Sequence, residues 1–173
     1  MRLFIAINFN ESTKSRLLGL RDELKSASAS GDFSLPENLH LTLVFLGECS
    51  ETQASVIKSV MDAVSFEPFD ILIDHIGRFK REDGGIWWAG AHENKTLSAL
   101  HADLTDKLID AGFELEKRRY SPHITLGRRI VTNGKPQAIE VFGETAHTVD
   151  LMKSERIGGR LTYTAIHSAN GKM

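Results

Sequence analysis

The chain has 173 residues, 41% hydrophobic and 25% charged, an ordinary globular composition that leaves little room for a long disordered tail. A formal charge of −2 gives no long-range attraction for a polyanion. Cys49, the single cysteine, excludes an intrachain disulfide and a cysteine-based zinc cage, and no run approaches the roughly 20 apolar residues that span a bilayer.

Residues 2–8 alternate and are rich in Phe and Ile, which predicts a strand, and this apolar run is too short for a secretory signal. Leu17, Leu18, Leu20 and Leu24 recur at helical spacing and predict a helix over 11–28, with the small polar residues 26–31 as a break. Residues 40–46 read as a second strand closed by Gly47. Ser50 or Thr52 then caps a helix carrying Val56, Ile57, Val60, Met61 and Val64, in a region ended by Pro68.

Residues 69–76 and 86–91 read as a hairpin whose polar segment 78–85 forms a mobile basic loop. Asn94 or Thr96 caps a third helix with an apolar stripe of Leu97, Leu100, Leu104, Leu108 and Ile109, stopped by Gly112. Strand-like runs follow at 122–129, 137–142, 147–154 and 160–168. This order predicts one α+β domain over residues 1–173, with mainly antiparallel sheets and helices packed outside them. The single cysteine and the N-terminal run set the expectation of a cytoplasmic protein, and a monomer is expected.

One pattern occurs twice: His40-Leu41-Thr42-Leu43 and, 83 positions later, His123-Ile124-Thr125-Leu126. The echo suggests two similar lobes facing a shared site. In a strand, residues two apart share a face, so His40 and Thr42 point together, as do His123 and Thr125, while their aliphatic neighbours anchor the opposite side. Two imidazoles flanking a phosphate suit in-line displacement, one taking a proton from water and the other giving one to the leaving oxygen. The threonine hydroxyls can donate to the non-bridging oxygens, and no metal or cofactor is required. His75, His92, His101, His147 and His167 have no metal-ligand spacing and are expected at surface or satisfied core positions. Lys117-Arg118-Arg119 leads into the second motif as a local positive patch or a solvated turn, and of the adjacent Trp87 and Trp88 one ring should face the core.

The chain resembles the 2H phosphoesterase superfamily, in particular its RNA 2′,3′-cyclic phosphodiesterase branch, called LigT-like and formerly 2′-5′ RNA ligase. The likeness rests on Arg2-Leu3-Phe4-Ile5-Ala6-Ile7, Leu39 to Gly47, Tyr120 to Arg128, and Gly159-Arg160-Leu161-Thr162-Tyr163. It implies two pseudo-symmetric lobes around a central cleft, and metal-independent opening of a 2′,3′-cyclic phosphate to a 2′-phosphate end on RNA or small cyclic nucleotides. It further implies one histidine as general base and the other as general acid, which we assign as His123 base and His40 acid with the 3′ oxygen leaving, and it implies Arg128 as a phosphate contact and Phe45 as a base-stacking aromatic.

Each of the last two lies five positions after its histidine, an odd offset that places it on the wrong face of a regular strand. Gly127 permits a bulge before Arg128, whereas Phe45 reads plainly as a core aromatic beside Leu41 and Leu43. Reverse 2′-5′ ligation by the same histidines, and a non-catalytic RNA-end or nucleotide-binding module, are the competing functions.

Overall fold

A computed structural model describes residues 1–172. Strand β1 (Arg2–Asn8) hands over to helix α1 (Glu11–Ser26) through Asn10, whose side chain accepts the Thr13 N–H, a cap worth about 1 kcal/mol. Strand β2 (Ser28–Phe33) and a 3₁₀ turn (Pro36–Asn38) lead into β3 (His40–Glu48). Helix α2 (Glu51–Ala63) opens with a reciprocal Ser50–Gln53 capping box and buries Ala54, Ile57 and Met61. After β4 (Phe69–Arg81) and β5 (Gly84–Ala91), Asn94 caps α3 (Lys95–Asp110), which buries Leu97, Leu100, Leu104 and Leu108. The chain closes with β6 (His123–Thr132), β7 (Phe142–Ala146), β8 (Thr148–Ile157) and β9 (Arg160–Asn170).

The strands form two sheets, ordered β3-β1-β8-β9 and β2-β6-β5-β4-β7, with every neighbouring pair antiparallel. They meet where β3 contacts β6, the two strands that carry the His-x-Thr motifs. α1 lies against β2, β6 and β7, and α3 against β3 and α2. The main core includes Leu3, Ile5, Ile7, Leu41, Leu43, Ile124 and Leu126, whereas Phe4, Ala6 and Met152 form a small separate cluster with Tyr163. Successive β1 residues therefore serve opposite faces of one strand, as a period of two requires.

Both motif strands bulge at the same place. Ala6 lies opposite Thr42 and Ile5 opposite Val44, so Leu43 is an extra residue in β3. Trp88 lies opposite Thr125 and Trp87 opposite Gly127, so Leu126 is the extra residue in β6. Two consecutive residues are buried in each strand, Leu43 with Val44 and Leu126 with Gly127, and side-chain alternation resumes one position late. Phe45 and Arg128 are thereby turned outward, and Phe45 is 54% exposed.

Three expectations about elements need correction. Residues 28–33, read as part of a break, are edge strand β2 paired with β6; their small polar side chains carry little periodic signal because neither face is well buried. The polar segment 78–85 is not a loop, since Arg78 pairs with Trp87 and Lys80 with Gly85, leaving only Glu82 and Asp83 in the turn. Its loop-like composition reflects a hairpin end that runs beyond the core. The run 137–142 is mostly irregular, and the strand there begins at Phe142, where pairing with β4 starts. Among the described residues no helix is long and apolar enough to cross a membrane.

Candidate active site

A cleft of about 2110 Å³ is lined by both motifs: His40, Thr42, His123, Thr125, and the bulge-directed Phe45 and Arg128 all open onto it. His40 Nδ1 lies 2.7 Å from the Asn38 carbonyl oxygen, and His123 Nδ1 lies 2.8 Å from that of Ser121. A carbonyl only accepts, so in each ring Nδ1 carries the proton and donates it, leaving Nε2 for chemistry. The same carbonyl, two residues upstream, orients both imidazoles.

The rings differ in what surrounds them. His40 packs against Phe4 and Tyr163, with centroids 4.9 and 5.3 Å away, and its Nε2 accepts the Thr42 hydroxyl at 2.8 Å. Burial holds its pKa below the usual histidine range. The Asn38 bond opposes that shift, and the positive charges of Arg128 and His123 reinforce it. His123 contacts Phe79 and Trp88 at 5.7 and 5.6 Å. Trp87 is the partner ring in the core, as adjacency in a strand requires.

Tyr120 joins the two halves. It precedes the second motif, its hydroxyl donates to the Thr42 carbonyl at 2.8 Å, and its ring stacks on His101 at 4.1 Å. Burial drives its phenol pKa far above the ordinary value, so it stays a neutral donor. Asn38 adds a second tie: its Nδ2 donates to the Leu161 carbonyl at the start of β9, the strand that supplies Tyr163.

The sequence profile of the 2′-5′ RNA ligase superfamily matches residues 15–158. A Methanothermobacter thermautotrophicus protein named RNA 2′,3′-cyclic phosphodiesterase is 34% identical over 83% of this chain and 79% of its own. The chain belongs to the 2′-5′ RNA ligase superfamily. The Escherichia coli relative of the same name is 27% identical over 95% of this chain and 93% of its own. E. coli LigT complexed with 3′-AMP shares the superfamily fold at a TM-score of 0.85, with 24% identity over 99% of this chain and 98% of that one. The α+β, two-sheet arrangement around a cleft is therefore the superfamily's, and the 2H phosphoesterase likeness of the chain holds.

Other sequence candidates are accounted for differently. The basic run at 117–119 is already engaged by acids: Lys117 with Asp106, Arg118 with Glu116, and Arg119 with Glu93. His75 and His92 share Asp74, His167 bonds Asp62, and His147 is exposed. No group of three or more metal-ligating side chains occurs among the described residues. Phe4, Phe79, Tyr120, Tyr163 and Asn38 were assigned no site role from the sequence. Tyr120 and Asn38 sit three and two positions before a motif histidine, but only the fold reveals their long-range partners.

Proposed function

We propose that this protein is a metal-independent hydrolase that opens 2′,3′-cyclic phosphates at RNA or nucleotide ends, leaving a 2′-phosphate. The observation that carries this reading is the equivalent orientation of two imidazoles on one cleft, each with Nδ1–H tied to a backbone carbonyl two residues upstream. With the cyclic phosphate between them, His123 Nε2 takes a proton from water as the water oxygen bonds to phosphorus. The P–O3′ bond breaks and His40 gives a proton to the departing O3′. Arg128 and the hydroxyls of Thr42 and Thr125 stabilise the non-bridging oxygens.

The acid role demands one change on binding. In the free protein His40 is held neutral and Thr42 donates to its Nε2. An anionic phosphate favours the protonated imidazole, whose Nε2–H becomes a donor and releases the Thr42 hydroxyl towards a phosphate oxygen. Phe45, exposed on the same cleft, is placed to stack on the base. The lone buried Cys49 fits residence in a reducing cytoplasm.

The test is turnover of a 2′,3′-cyclic nucleotide in EDTA. His40→Ala and His123→Ala should each lose on the order of 10²–10⁴-fold in kcat with unchanged circular dichroism. Full activity in either variant would refute the paired mechanism. Microscopic reversibility makes the same groups competent for 2′-5′ joining, which product analysis with two RNA fragments distinguishes.

A further inference from the structure

The cleft extends well past the two motifs, and its β1/β8 wall carries positive charge that the proposed chemistry does not use. Arg2 pairs across the sheet with Ser154, and Ser154 pairs with Tyr163, the residue packed on His40. Alternation puts Arg156 on the same face as Ser154, so Arg2 and Arg156 flank one spot beyond Phe4 and Tyr163. Both arginines line the cleft.

The acids nearby are committed elsewhere. Glu48 lies 3.4 Å from the Met1 amino group, Glu155 lies 3.6 Å from Lys153, and Glu37 pairs with Arg160. Among the described residues neither Arg2 nor Arg156 has a carboxylate within 4.0 Å. Arg2 instead lies over the Phe45 ring, 5.1 Å from its centroid, and Arg156 donates to the Gly159 carbonyl at 3.1 Å. Each contact steadies a guanidinium while leaving most of its N–H donors free, a state suited to a phosphate.

Taking the cyclic phosphate to bind between His40 and His123, as proposed above, we infer that Arg2 and Arg156 form a second phosphate subsite. It takes the backbone phosphate on the 5′ side of the terminal nucleoside. Phe45 stands on the wall between the first motif and Arg2, so a base stacked there carries its own 5′ phosphate outward along the arginines. The cleft then selects an RNA end over a free mononucleotide. Local pairing achieves this in a chain whose net charge of −2 gives no general attraction for RNA.

The experiment measures binding of adenosine 2′-monophosphate and of a triadenylate bearing a 2′-phosphate end, across a salt series. Arg156→Gln should weaken the trinucleotide roughly tenfold and reduce its log–log salt slope by about 0.7, with the mononucleotide changed less than twofold. Arg2→Gln should weaken the trinucleotide similarly, and Arg156→Lys should restore most of the salt slope. Equal losses on both ligands, or no loss on the trinucleotide, overturn the subsite. Turnover of a triadenylate ending in a 2′,3′-cyclic phosphate by the unaltered protein is scored separately: its absence breaks the proposed activity, while the binding pattern still decides the subsite.

Discussion

The two His-x-Thr motifs share a sequence pattern, a bulge and a backbone tether, yet their surroundings are unequal. His40 is enclosed by Phe4 and Tyr163 and bonded to Thr42 through the nitrogen that must react. The corresponding nitrogen of His123 has no hydrogen bond within the described protein, and its ring rests against Phe79 and Trp88 at the open hairpin. Internal symmetry supplies the geometry of a paired site, and the departures from symmetry prepare one imidazole differently from the other. Two identical imidazoles would compete for one role; two unlike ones can divide the labour.

The largest expected effect tests whether the halves act as a unit. If both imidazoles move protons in one displacement, His40→Ala combined with His123→Ala should be no more than about tenfold slower than the worse single variant, although each alone costs on the order of 10²–10⁴. Multiplicative losses in kcat would mean that the motifs contribute independently.

Next is the tie between the halves. Tyr120→Phe leaves the Thr42 carbonyl without its donor and should cost about 1–2 kcal/mol in stability. It should lower kcat roughly tenfold with KM within twofold, because a small misplacement of one motif affects the transition state more than binding. An equal rise in KM, with kcat unchanged, would make Tyr120 a binding residue instead.

Smaller effects read the first motif through its pH dependence. His40 titrates below about 6.5 in the free protein, so it should limit kcat/KM at a lower pH than it limits kcat, where the bound phosphate raises its pKa. Thr42→Val removes a donor to the neutral ring and should move the NMR titration midpoint of His40 upward. The linkage to stability follows the same sign. A histidine lowered in the fold binds protons preferentially in the unfolded chain, so its stabilisation is present above about pH 6.5 and is lost as pH falls towards the folded value. Thermal melts between pH 7 and 5 should therefore fall more steeply for the wild type than for His40→Asn.

Much of this was readable in the chain. Strongly periodic elements such as α3, and capped starts such as Ser50 and Asn94, follow from local chemistry and match the fold. The same-face pairing of His40 with Thr42 needed only the strand period. Edge strand β2 and the extended hairpin arms were missed because their residues are stabilised by cross-strand pairing rather than by burial of a periodic face. The parity objection to Phe45 and Arg128 failed for one reason in both cases: each strand inserts a bulge residue before them, and the β3 bulge uses Leu43 with no glycine between His40 and Phe45. A bulge is a property of two paired strands, so one strand's sequence does not reveal it.

Those bulges also separate two kinds of change. Residues 40, 42, 123 and 125 lie before the inserted positions, whereas 45 and 128 lie after them and return to the cleft as a second row. Variation at Phe45 can retune which ligand is admitted, whereas a change at Arg128 also removes a charge that acts on His40. Deleting a bulge residue, Leu43 or Leu126, would leave a regular strand with Val44 or Gly127 still facing the core and Phe45 or Arg128 still facing the cleft, at the cost of a buried leucine. A library randomised at 45 should therefore yield folded proteins with altered preference, while deletion of Leu43 or Leu126 should keep the second row on the cleft and show its cost in stability.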